Sequence, residues 1–143
     1  MIKTFKKSFF YGKEVINVQR NIKVLYVEPF KEPVEMFIKN NLQEKRKLVD
    51  GNIEYAYLLE DYSISLICNE ESKINGMKPN RDIGHDIIFG PFLVAGYDDS
   101  GEDRSLTDEQ IKKYKKEFDE LSIYKTIFKV NKILINKENN IEM

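Results

Sequence analysis

Between Cys68 and Gly96 the chain concentrates its only cysteine, its only histidine and most of its glycines, together with a Pro-Asn-Arg triplet at 79–81. Asn75-Gly76, Pro79-Asn80 and Gly90-Pro91 read as turns, because glycine supplies positive φ and proline holds φ at about −65°. What lies between them reads as short strands, Asp86 to Phe89 and Phe92 to Ala95. A segment punctuated this often predicts an antiparallel arrangement closed by tight turns.

The flanking sequence fits the same picture. Ile22 to Glu28 (IKVLYVE) is β-branched and aromatic enough for a strand, and Val34 to Ile38 is a second extended run, the two joined as a hairpin across FKEP. Ile53 to Leu59 and Ser63 to Cys68 follow as two further strands. In the latter, period-2 alternation sends Ile64, Leu66 and Cys68 one way, and Ser65 and Ile67 the other. Asn41 with Glu44 three residues on caps a short surface helix through Leu48, which stops near Gly51. Thr107 and Gln110 form a capping box for a longer helix, with Ile111, Tyr114, Phe118 and Leu121 on one face. The tail from Ile123 mixes helical and alternating spacing and reads as either a continued helix or a last strand. These elements predict a single α+β domain. Its sheet is mainly antiparallel, with a short helix near 41–49 and a longer one near 107–121. Residues 1–20 would be a basic aromatic extension folded as a hairpin, 21–122 the domain itself, and 123–143 a partly ordered extension.

At 143 residues with 41% hydrophobic and 33% charged residues, the chain is long enough for one core and lacks the composition of a disordered protein. The net charge of −1 excludes a global field that would draw in nucleic acid or an anionic membrane. No stretch is long and apolar enough to span a bilayer, and the basic start MIKTFKKSFFYG lacks the apolar core and cleavage site of a signal peptide. A cytoplasmic protein is the expectation. Heavy use of Lys, Asn and Ile is the codon signature of an AT-rich genome and points to a bacterial or phage source.

Few residues offer chemistry. Cys68, His85 and Asp86 together invite a thiol-nucleophile reading, since a thiolate needs a base and the base needs an orienting group. Against it, a cysteine ending an apolar strand is ordinarily a small buried hydrophobe. One Cys and one His do not make a zinc site, and no cofactor is expected. The acidic run Asp98 to Asp103 begins like a calcium loop, but Asp103 stands where the sharp-turn glycine must be, so it reads as a solvated loop. No P-loop or GxGxxG fingerprint occurs. Asn69, Asn80, Arg81 and His85 remain as candidates for a ligand or partner groove. Arg81 would either grip a carboxylate, phosphate or carbonyl with its planar fork, or pin the connection internally. Lys3, Lys6, Lys7 and Phe9 carry a separate reading, basic residues interleaved with aromatics that hold a single nucleic-acid strand. An edge ribbon protected by lysines has the same look.

In that order along the chain, IKVLYVEPFKEP, ICNEESKINGMKPNR, DIIFGPFLVAG and SLTDEQIKKY resemble the domain-of-unknown-function family 3846, small proteins of bacteria, phages and mobile elements. The resemblance spans about Ile22 to Leu121 and implies an accessory protein of unassigned activity, with residues 1–20 an addition to the usual domain. The leading functional expectation is therefore a non-enzymatic binding or interaction module. A small hydrolase or transferase using Cys68 or His85, and a nucleic-acid binder, are the alternatives. Open edge strands would also allow two copies to pair.

Overall fold

Strands form where the β-branched runs lie, and their pairing builds two cores on the two sides of one sheet. The computed structural model describes the backbone of residues 7–11, 14–18 and 20–141 and the side chains of residues 20–139. A hairpin of β1 (Lys7–Tyr11) and β2 (Glu14–Val18) comes first, followed by β3 (Asn21–Val27), β4 (Val34–Lys39), α1 (Leu42–Val49), β5 (Ile53–Leu58) and β6 (Asp61–Asn69). Then come β7 (Pro79–Asp82), β8 (Ile87–Phe89), β9 (Phe92–Tyr97), β10 (Asp103–Arg104), α2 (Asp108–Glu117) and α3 (Glu120–Ile141). The central sheet runs β4-β3-β9-β6-β5, with β10 added beside β9, and every pairing is antiparallel. The chain is thus a mainly antiparallel α+β fold.

Alternation along the strands divides the side chains. Leu25, Val27, Ile64, Leu66, Cys68, Phe92 and Val94 face Ile111, Tyr114 and Phe118, with Ile83 and Ile88 completing the cluster. Ile22, Val24, Ile38, Ile67, Leu93 and Ala95 face the other way, with Tyr26, Met36, Leu48 and Ile53 packed against them. Burying a side chain such as Leu66 or Phe92 contributes about 1.5–3 kcal/mol, so this two-sided burial is the main source of stability. Central strands buried on both faces lose the clean apolar/polar alternation, which is why β6 is buried without interruption from Ile64 to Asn69.

Several details depart from the sequence reading. Pro79-Asn80 is the start of strand β7, not a turn; the reversal is made by Ile83 to Asp86, where Gly84 takes φ +100. Asn41 caps α1 through its side chain, 2.7 Å from the Glu44 amide, but it is Asp50 that adopts the left-handed conformation at the other end, one residue before Gly51. Nor is α1 only a surface helix, because Lys45 and Val49 are buried. The capping box of Thr107 and Gln110 is present, and Ile111, Tyr114 and Phe118 line the core. The helix then stops at Glu117: Phe118 leaves helical geometry, α3 restarts at Glu120, and Leu121 emerges 59% exposed rather than joining that face. The tail is helical. Finally, Asp103 is not solvated but 4% exposed, and its strand lies against β9 at a position only glycine fits: a Cβ on Gly96 would stand 2.8 Å from the Ser105 carbonyl oxygen.

Candidate functional site

The β7–β8 hairpin carries three of the sequence candidates and sorts them by a single irregularity. Pro79 pairs with Phe89 and Arg81 with Ile88, so Asn80 is an extra residue in its strand. A bulge of this kind breaks the period of two, and Asn80 and Arg81, adjacent in sequence, both point inward. They are 1% and 0% exposed. The Asn80 amide nitrogen donates to the carbonyls of Val27 (2.9 Å) and Gly90 (2.8 Å), tying the hairpin to β3.

Arg81 is taken up entirely by internal bonds. Its Nε and Nη2 donate to the Phe118 carbonyl, Nη1 to the carbonyl and side-chain oxygens of Asn80, and Nη2 also to the Lys31 carbonyl at 2.6 Å. That accounts for all five N–H groups of a guanidinium. Burial pushes its pKa down to about 10, against the attraction of Glu32 and Asp119. Asn69 is used in the same manner: its amide nitrogen donates to the carbonyls of Val49 (3.1 Å) and Asp50 (3.0 Å), and its oxygen accepts from the Glu71 amide. It closes the C-terminus of α1. These three residues hold segments together and have no side-chain donor turned outward.

His85 differs. It sits at the exposed tip of the hairpin, after Gly84, on a turn closed by the Ile83 amide donating to the Asp86 carbonyl and the Gly84 amide donating to Asp82. Beside it runs a groove of about 410 Å³ between the hairpin and α3. Ile87, Phe89, Val130, Ile133 and Leu134 form its apolar surface, and His85, Asp86, Lys73, Lys129 and Lys137 its polar rim. The helix is fixed there by the buried Thr126 hydroxyl, which accepts from the Asp82 amide at 2.9 Å and donates to the Ser122 carbonyl. Lys129 and Lys73 pair with Asp82 (3.0 Å) and Asp86 (2.8 Å). Lys137 adds further positive charge.

Cys68 lies in a neighbouring hollow of about 300 Å³ that shares Lys73, Asp86, Ile87 and Phe89 with the groove. The thiol is buried, and that burial, with the nearby carboxylates of Glu54 and Asp86, pushes its pKa up to about 12. A nucleophilic cysteine needs the opposite setting, positive and partly open. Among the described residues no hydrogen bond joins Cys68 to His85, and no group of three or more metal-ligating side chains is found.

A second polar cluster lies on the α1 side of the sheet and had no sequence signature. Asp103 accepts from Lys45 Nζ (2.6 Å), the Tyr55 hydroxyl (2.6 Å) and the Ser65 hydroxyl (3.2 Å). Burial, then the Asp103 carboxylate, raises the Tyr55 pKa far above its ordinary value, so the phenol stays protonated. The two ions are buried and paired with each other, and Asp103 takes two further hydroxyl bonds, which gives the cluster the character of an internal tie. The groove wall on α3 was also missed, because Val130, Ile133 and Leu134 stand in a tail whose spacing fits helix and strand alike. Of the proposed nucleic-acid residues, Lys3 and Lys6 lie outside the described residues, while Lys7 and Phe9 stand on β1 opposite Val18 and Ile16.

A model of the family described as "Domain of unknown function (DUF3846)" matches residues 22–119. No curated protein and no solved structure matches the chain.

Proposed function

We propose, from the premise that the chain belongs to the domain of unknown function 3846 family, that it is a non-enzymatic interaction module that receives a protein segment in the groove beside His85. The observation that carries this reading is the division among the sequence candidates. Asn69, Asn80 and Arg81 are internal, whereas His85 is exposed at the mouth of a groove with an apolar floor and a mixed rim, where Lys73 and Lys129 are paired with Asp86 and Asp82 and Lys137 adds positive charge. Such a groove suits an apolar anchor with an acidic residue beside it for Lys137. The alternative hydrolase or transferase built on Cys68 is disfavoured by the buried, protonated thiol. In biological terms the module would be an accessory protein of a phage or mobile element in a bacterial cytoplasm, as the AT-rich composition suggests. The start of the family match at residue 22 supports reading residues 1–20 as an addition to the domain, with the tail beyond 122 as a second one.

Peptide display against the full chain tests the reading. Peptides with an apolar anchor and an acidic flank are expected, and their binding should fall at least tenfold on Ile133→Asp. Selected peptides that bind the variant unchanged would refute the groove. A second reading, nucleic-acid binding by the β1–β2 hairpin, rests on the paired ribbon and its interleaved Lys and Phe residues. It requires salt-sensitive binding of single strands that disappears when residues 1–20 are removed.

A further inference from the structure

Helix α3 has two working faces, and the domain uses only one. Ile123 and Thr126 are buried, Thr126 against the hairpin, and Val130 is half-buried on the same side. On the other side Leu121, Tyr124, Phe128, Asn131 and Ile135 follow one another at alternating spacings of three and four residues, and all are exposed. Leu121 is 59%, Tyr124 61%, Phe128 69% and Ile135 56% exposed. Regular 3-4 spacing is the a/d seam of a coiled coil, and it recurs here over two heptads. The last turns of α3 are only slightly covered by the domain: every side chain from 131 to 139 is exposed, including Ile133 and Leu134 at the edge of the groove. A stretch so rich in Asn and β-branched Ile is a poor helix former by itself, so its helicity calls for a covering surface.

We infer that this seam pairs α3 with α3 of a second copy, in parallel, to form a twofold dimer. Charge selects both the occupant and the direction. With Leu121, Phe128 and Ile135 at a, and Tyr124 and Asn131 at d, Glu120 falls at g and Lys125 and Lys132 at e. A parallel pair sets Glu120 of each copy against Lys125 of the other, and sets Ile127 and Leu134 at g along the seam. An antiparallel pair would instead bring Lys125 towards Lys132 of the second copy, like charge on like. The apolar groove residues Val130 and Ile133 are on the opposite side of the helix and stay open in such a dimer, with Leu134 on the flank between the two.

Sedimentation of the full chain over a concentration series tests this directly. A species of twice 16.9 kDa is expected, reduced to monomer by Phe128→Glu with at least a 100-fold rise in the dissociation constant and an unchanged circular dichroism spectrum. Lys125→Glu is expected to weaken the dimer, and adding Glu120→Lys to restore it. Ile135→Cys is expected to cross-link to itself on oxidation, Cys68 being buried and silent. A monomer at all concentrations, a dimer indifferent to Phe128→Glu, or cross-linking only in a mixture of Leu121→Cys with Ile135→Cys each overturns the parallel seam. The Ile133→Asp groove variant is expected to dimerise normally, so the failure of one proposal is separable from that of the other.

Discussion

The Phe118 carbonyl oxygen accepts two hydrogen bonds from Arg81, from Nε at 3.2 Å and from Nη2 at 2.9 Å. Phe118 is the residue at which α2 ends, so its carbonyl has no partner further along that helix. Arg81→Met leaves this oxygen buried without its donors and frees the part-buried Lys31 carbonyl, and Arg81→Lys reproduces the charge but not the fork. Both are expected to lower stability, the former by about 1–3 kcal/mol. Urea unfolding measures it; a loss below about 1 kcal/mol would show that the guanidinium is dispensable.

The Lys45–Asp103 pair makes a complementary prediction on the opposite face of the sheet. At 9% and 2% side-chain exposure, removing one ion strands the other. Lys45→Met is expected to cost about 3–5 kcal/mol, and the double change with Asp103→Leu to recover part of that loss. A single change no worse than a surface pair, about 0–1 kcal/mol, would contradict the burial.

Cys68 is expected to be inert in the native protein. With the thiol raised to about 12, the thiolate fraction at pH 8 is on the order of one in ten thousand, and access is restricted as well. Reaction with a disulfide reagent is expected to be slower by at least about 100-fold than in urea. Equal rates would reopen the nucleophile reading.

Acid stability tests Asp61. Burial opposes its ionisation, but hydrogen bonds from the Ser63 and Tyr114 hydroxyls and the Ser63 amide, with Lys113 nearby, outweigh it and hold the carboxyl below its ordinary range. The folded pKa lies below the unfolded one. The resulting stabilisation is therefore complete above the unfolded value of about 3.9 and is lost as pH falls through the folded value. Asp61→Asn is expected to be less stable at neutral pH and to lose less on acidification than the parent chain. Parallel curves for the two proteins would place the acid-sensitive group elsewhere.

Much of the architecture was legible because local signals and global packing agreed. The strand at 22–27, the hairpin across FKEP, the Asn41 cap and the Thr107–Gln110 box are each set by residues within a few positions of one another. The reading broke where one residue's role depended on distant partners. Pro79-Asn80 has turn chemistry, yet pairing with Phe89 and the bulge make it a strand. Asp103 sits in an acidic run, yet Lys45 and Tyr55, far away in sequence, draw it inside. Leu121 continues the helical stripe, yet the break at Phe118 rotates it outward. The groove was half-legible: His85 stood out by rarity, whereas its apolar wall on α3 became visible only when the tail proved helical.

The arrangement around Arg81 also bears on how the protein is made. Its guanidinium joins Lys31, Asn80 and Phe118, three points spread over most of the matched domain. During synthesis the sheet strands up to β9 leave the ribosome before Phe118 does, and until then the arginine has an incomplete set of acceptors. The domain is therefore expected to close fully only once translation has passed α2, and a chain cut before residue 118 to show no cooperative urea transition.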